Sequence, residues 1–165
     1  METKFTPWRM QYIKREPSGT SATDNGCVFC AITAASPEHD PANLILHRGT
    51  NCFVVMNLFP YNTAHLMVLP YTHTADLPGL DAATATELFA LTQRCVAILN
   101  TEYQPHGHNL GMNLGHLAGA GIAEHLHMHI VPRWGGDTNF MPIVGGTKLI
   151  PEELDVTYQR LRAHW

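Results

Sequence analysis

The sequence predicts an α+β domain: an antiparallel sheet of about five strands, one long helix packed on it and a closing C-terminal helix. Three observations predict this. Short apolar or β-branched runs at 44–47, 52–56, 65–69, 109–113 and 125–131 are separated by turn formers. Leu88, Leu91, Cys95, Ile98 and Leu99 recur at helical spacing and mark the buried stripe of one long helix. No internal repeat or second linker divides the 165 residues, of which 45% are hydrophobic and 15% charged, enough to fill one core.

Each element follows in order. Residues 1–26 read as a polar N-terminal extension, and 27–165 as the single folded domain. The extension ends in turn formers, Pro17 to Gly26, and carries Trp8, Met10, Tyr12 and Ile13 as apolar anchors for docking or assembly. Residues 27–34 lack a clean period and fit a short helix. Pro37 and Pro41 make 35–43 a loop. Arg48-Gly49-Thr50 turns the first strand into the second as a hairpin. Pro60-Tyr61-Asn62 is a turn, and Pro70 closes the third strand. Asp81 suits the N-cap of the long helix, which Gln104-Pro105 ends. A glycine-rich link at 115–121 precedes the last clear strand, 125–131, which Pro132 stops. The closing helix starts from about Pro151, a residue suited to a first turn.

Charge narrows the function. A formal net charge of −4 disfavours a broad grip on nucleic acid, which needs a basic stripe. A local pocket can still hold an acidic small molecule. No apolar run approaches membrane-spanning length, and the first residues lack a signal-peptide core, so the cytoplasm is expected. Four cysteines are too few and too unevenly spaced for a disulfide framework. Cys52 and Cys95 fall at core positions and read as inert. Cys27-Val28-Phe29-Cys30 is a CxxC, open to three readings: two zinc ligands, a redox pair, or two buried thiols.

Eleven histidines match ten Lys plus Arg, an unusual ratio. The most informative run is His125-Leu126-His127-Met128-His129-Ile130-Val131. Strand alternation places His125, His127 and His129 on one face, ~7 Å apart, and sends Leu126, Met128 and Ile130 to the other. Aligned imidazoles can share a metal ion. Alternatively, one attacks phosphorus while its neighbours orient the ring and hold phosphoryl oxygens. A surface strand carrying histidines by chance is the bland reading.

This run resembles the signature of the histidine triad (HIT) superfamily. The resemblance extends from Cys27 to about Trp134 and includes the CxxC, Asn57, His65-Leu66-Met67-Val68-Leu69-Pro70, His73 and Asn113-Leu114-Gly115. The run from Pro132 to Phe140 looks like the bacterial branch near diadenosine tetraphosphate (Ap4A) phosphorylases and Fhit-like hydrolases. The resemblance implies a HIT-like fold with His127 as nucleophile towards an α-phosphorus. It implies that His129 binds phosphate oxygens, that His125 completes the triad and that His65 faces it from the neighbouring strand. Asn57 would hold ribose hydroxyls, where Hint-like members carry Asp. Asn113 would lie near the phosphates, and Val55 and Met67 along the base, unless they are ordinary core. Cys27, Cys30, His73 and His125 would form a closed structural zinc site. Arg133 and Lys148 are the basic residues nearest the triad in sequence, available to distal phosphates or simply solvated. Trp134 would cover a base or close a subunit interface.

One position departs from the family. Many hydrolase-type relatives have Gln four residues before the first triad histidine; here it is Gly121. Gly119 and Gly121 expose backbone N–H groups and leave room for a bulkier anion, which tilts the expectation towards inorganic phosphate as acceptor. A merely flexible link is the rival. The expected activity is nucleotidyl transfer from Ap4A to phosphate through a nucleotidyl-His127 intermediate, giving ADP and ATP without a redox cofactor. The alternatives are an Ap4A/Ap3A-type hydrolase, a Hint-like phosphoramidase, a nucleotide-binding scaffold, or a metallohydrolase with the three triad histidines on one zinc. The resemblance also implies homodimers, with tetramers left open, and partners limited to nucleotides and phosphate.

Overall fold

Two strands with no charged side chain make the centre of the molecule. In a computed structural model, which describes residues 26–137 and 150–165, β2 (Cys52–Met56) and β3 (Leu66–Pro70) pair over five residues each, all buried. Most of the expected N-terminal extension, much of the glycine-rich tail and Lys148 lie outside the described residues. β1 (Ile45–Arg48) forms the expected hairpin with β2. Its turn is held by the Glu87 carboxylate, which accepts the Thr50 and Asn51 N–H groups at 2.7 Å each. A Cβ on Gly49 would lie 2.1 Å from Glu87 Oε1 and 2.8 Å from the Cys52 carbonyl oxygen, so glycine is required there.

β4 (Gly107–Gly111) and β5 (Met128–Arg133) complete a five-stranded antiparallel sheet of order β1-β2-β3-β5-β4. The α+β class is as the sequence predicts. β1 and β3 begin and end one residue later than the expected 44–47 and 65–69, and β4 and β5 are displaced further. β4 starts and ends two residues earlier than 109–113 because its pairing with β5, and no propensity of its own, sets it; a strand bounded by two glycines has little intrinsic signal. β5 starts late because the Leu126 N–H leaves the sheet for the Thr74 carbonyl at 2.8 Å. It also runs past Pro132 to Arg133. The Pro132 carbonyl points to Asn62 Nδ2 at 3.1 Å, so the place of its missing N–H faces the side where β3 has already ended.

α1 (Val28–Ala34) is the short helix expected of the CxxC segment. Arg48 fastens its end: the guanidinium donates to the Thr33 and Ala35 carbonyls and to Asp40. α2 (Ala82–Tyr103) buries Leu88, Leu91, Cys95, Ile98 and Leu99, the stripe read from the sequence. The Cys52 Sγ meets the Thr84 carbonyl at 3.6 Å, so α2 covers the sheet face that carries Cys52, Val54 and Met56. Gln104, in the left-handed region at φ 45°, ends the helix before Pro105. α3 (Leu154–Arg162) begins three residues after the expected Pro151 and lies along β1, where Tyr158 and Arg162 donate to the Ile45 and Leu46 carbonyls. No described helix is long and apolar enough to cross a membrane.

The N-cap of α2 is doubly made. Asp81 Oδ1 accepts the Thr84 N–H at 3.0 Å and Oδ2 accepts the Thr84 hydroxyl at 2.6 Å. Asp81→Ala removes both, and denaturant unfolding should show a lower midpoint with an unchanged m-value.

Candidate functional site

The histidines occupy the sheet face opposite α2. Register places Val55 opposite Met67, and Met67 opposite His129, so these three share one face. His127 and His125 continue the alternation below the end of the ladder. The His127 and His129 rings meet edge-on with centroids 4.7 Å apart. Phe29 of α1 packs on the His125 and His127 rings at 5.5 and 5.6 Å. His125, His127 and His65 are all buried.

Burial forces each ring nitrogen to declare its role. His127 Nδ1 lies 2.8 Å from the His125 carbonyl oxygen. A carbonyl only accepts, so the neutral ring carries its proton on Nδ1 and a lone pair on Nε2. Burial favours the neutral ring and holds the His127 pKa below its ordinary value, although the bond to the His125 carbonyl pulls it up. The nitrogen of a nucleophile is therefore available in the required form. His125 is the reverse case. Its Nε2–H donates to the Pro70 carbonyl at 2.9 Å, and its lone pair sits on Nδ1. Burial lowers its pKa too, aided by His73 and His127.

His65 and His129 form a second deductive chain. Asn57 Oδ1 accepts the Phe59 N–H at 2.9 Å, which turns its Nδ2 towards His65 Nδ1 at 3.3 Å. The Tyr61 N–H also donates to His65 Nδ1, at 3.0 Å. Two donors leave no place for a proton on that nitrogen. His65 is thus protonated on Nε2, which donates to His129 Nδ1 at 2.9 Å. The His129 proton is left on Nε2, a donor suited to an anionic oxygen.

A separate cluster gathers at the foot of the triad. Cys27, Cys30, His73 and His125 bring four donor atoms within 4.8 Å of one another. His73 Nδ1 and His125 Nδ1 are 3.3 Å apart. Cys27 Sγ–His125 Nδ1 and Cys30 Sγ–His73 Nδ1 are both 3.4 Å, and Cys30 Sγ–His125 Nδ1 is 3.7 Å. Ordinary zinc bond lengths in a tetrahedron give N···N edges of about 3.3 Å and N···S edges of about 3.5 Å. The donor set fits such an ion, and the His125 lone pair already faces it. Burial pushes the Cys27 thiol above its ordinary pKa, so a thiolate there calls for a cation beside it.

A family model, the HIT domain, matches residues 38–136 of this sequence. The chain belongs to the HIT family. It is 39% identical to AP-4-A phosphorylase of Mycobacterium tuberculosis over 165 residues, which is 100% of this chain and 85% of that protein. It is 26% identical to protein hit of Bacillus subtilis over 69% of this chain and 75% of that one. The crystal structure of a Zn-bound histidine triad family protein from Mycobacterium smegmatis superposes with a TM-score of 0.66 at 26% identity. That alignment covers 84% of this chain and 91% of the other.

Within this HIT domain the remaining expected site residues are scattered in role. Val55 and Met67 belong to the hydrophobic core. The described contacts of the Asn57 side chain are to the turn and His65. Asn113 follows β4, half-buried; Gly119 takes the left-handed region at φ 90°, and Gly121 is exposed on the way to His125. Arg133 and Trp134 both have partners within the chain. Arg133 is bound by Asp137 at 2.6 and 2.9 Å and by Asn109 Oδ1 at 2.7 Å, so its charge is already matched. Trp134 donates its indole N–H to the Tyr103 carbonyl at 3.2 Å and thus closes the end of α2 in its own chain. Two contacts escaped the sequence. Phe29 packs on the triad from inside the CxxC, a position whose aromatic character could have drawn notice. The Tyr61 contribution is a backbone N–H, for which no side-chain signal exists.

The other two thiols are buried. Burial pushes both Cys52 and Cys95 up to about 12. Alkylation with iodoacetamide at pH 8 should leave both unmodified in the folded protein, and mass spectrometry of the digest reads this directly.

Proposed function

We propose that this HIT enzyme moves the nucleotidyl group of a dinucleoside polyphosphate such as Ap4A to inorganic phosphate. The observation that carries the mechanism is the His127 tautomer: a lone pair on Nε2, held by the Nδ1 bond to the His125 carbonyl. The 39% identity to AP-4-A phosphorylase along the entire chain supports the substrate and the acceptor. In the first step His127 Nε2 attacks the α-phosphorus. The bond from that phosphorus to its bridging oxygen breaks, and ATP leaves. In the second step a phosphate oxygen attacks the same phosphorus, the N–P bond breaks, and ADP leaves. Two inversions give net retention of configuration. The His129 Nε2–H stabilises charge on the phosphoryl oxygens, and His65 holds that ring in the donating form.

Gly121 supports phosphate over water, because no side-chain amide stands four residues before His125 to position a water. Val55 and Met67, on the same face as His129, suit the base, and Asn57 and Asn113 the ribose and phosphates. The metallohydrolase reading is disfavoured. Among the described residues the metal-type cluster is Cys27, Cys30, His73 and His125, without His127 or His129.

We propose that this cluster holds zinc in a structural role. Bound there, the ion would tie α1 to the histidine segment and keep Phe29 against the His127 ring. The Zn-bound relative from M. smegmatis supports it. β4, an outer strand with an exposed edge, suits pairing with a second copy. The proposed compartment is the cytoplasm, where phosphate and adenine nucleotides meet.

Incubation of the purified protein with Ap4A should give ADP and ATP only when phosphate is present, as resolved by ion-exchange chromatography. AMP and ATP regardless of phosphate would make it a hydrolase. His127→Ala should lower turnover by about 10⁴-fold or more while nucleotide binding, measured by calorimetry, persists. Elemental analysis should find one zinc per chain. Cys30→Ser should lose it and lower Tm by about 5 °C or more, with the wild-type value restored by no excess of magnesium.

A further inference from the structure

The turn Pro60-Tyr61-Asn62 has a part in the site that neither the triad nor the cluster explains. Ala64, buried, sits in the left-handed region at φ 57°, a conformation costly for a residue with a Cβ. That bend folds the chain back so that Tyr61 lies over His65. Its ring is 4.7 Å from His65 and 5.6 Å from His129, and its N–H reaches His65 Nδ1. What holds the bend is the neighbouring side chain. Both Asn62 Nδ2 hydrogens are used, one on the Pro132 carbonyl at 3.1 Å and one on Asp137 Oδ2 at 2.9 Å. Asp137 is itself fixed by the Arg133 guanidinium and the Trp134 N–H, and that partnership pulls its carboxyl down to about 2. Asp137 therefore stays ionised and acceptor-only across the working pH range.

We infer that Asn62, braced by Asp137, is a positioning residue that sets the proton of the His65–His129 pair. The described Asn62 Nδ2 bonds go to Pro132 and Asp137 and to neither ring. Asn62 holds the turn at the distance where the Tyr61 N–H occupies His65 Nδ1, which places the His65 proton on Nε2 and the His129 proton on Nε2 in turn. Released, the turn takes the Tyr61 N–H away from His65 Nδ1, where the Asn57 contact is longer, at 3.3 Å. The pair then populates the opposite tautomers, and His129 turns a lone pair towards an anion it should donate to. The inference rests on the proposed role of His129 at the phosphates. The clamp itself can be read without turnover.

Imidazole nitrogen signals of ¹⁵N-labelled protein report tautomers directly. In the wild type His65 and His129 should both show the Nε2–H form, and His127 the Nδ1–H form. Asn62→Ala should bring in the Nδ1–H form of His65 and His129, leave His127 unchanged, and lower kcat about 10- to 100-fold with KM within about twofold. Asp137→Asn, which keeps the size but offers one acceptor oxygen where four donors converge, should shift the same signals in the same direction, and it serves if Asn62→Ala does not fold. Arg162→Ala removes a comparable side-chain tie, to the Leu46 carbonyl at 2.7 Å, on the far side of the sheet; it should lower stability and leave the ring signals alone. Unchanged His65 and His129 signals in the folded clamp variants would overturn the inference, as would shifted signals with unchanged kcat. A wild type inert towards Ap4A would sink the proposed function instead, and the ring signals would still decide the clamp.

Discussion

The site's chemistry hangs on one hydrogen bond, from His127 Nδ1 to the His125 carbonyl at 2.8 Å. The bond exists because β5 begins only at Met128. The Leu126 N–H has left for Thr74, and the His125 carbonyl is taken by the ring two residues on. A fully regular strand would have committed that carbonyl to a neighbouring strand. The irregular start of β5 is thus what orients the ring. Burial under Phe29 then keeps the ring neutral and excludes water that would compete for the carbonyl.

Three histidines at identical spacing end up with three different sets of partners. His125 commits Nε2 to Pro70 and turns Nδ1 to the thiols. His127 commits Nδ1 and leaves Nε2 for attack. His129 accepts at Nδ1 from His65 and so donates at Nε2. In the proposed function one residue type would serve as ligand, nucleophile and donor, because each ring meets a different fixed partner. The first two rings are joined through the chain, so order in the Cys27–Cys30 segment bears on the nucleophile. Arg48 contributes from the other end of α1, where its bonds to Asp40 and to the Thr33 and Ala35 carbonyls hold the helix on the sheet. A half-buried arginine that satisfies carbonyls and a carboxylate together specifies position more than it adds stability.

Much of this was legible from the residues. The hairpin, the central strand, the Asp81 cap and the buried stripe of α2 follow from local pattern, and the sheet places them as read. Alternation alone put His125, His127 and His129 on one face, and the HIT match over residues 38–136 agrees with the motif reading. The failures have a common cause. β4 has too little propensity to declare its ends, and β5 passes through Pro132 because the neighbouring strand is already over. The engagement of Arg133 by Asp137 and Asn109 has no local signal, because Asn109 is 24 residues away in the chain.

By itself, then, the sequence determined what local rules can carry: the α+β class, the strand alternation, the helix cap and the residues able to do phosphoryl chemistry. Tertiary structure decided protonation and partnership. Which nitrogen of each histidine holds its proton depends on carbonyls and N–H groups from Pro70, Tyr61 and His125. Which thiols meet which imidazoles depends on α1 crossing under residues nearly a hundred positions later. Backbone dipoles look the same in every sequence, and only the folded chain brings a particular one to a particular ring.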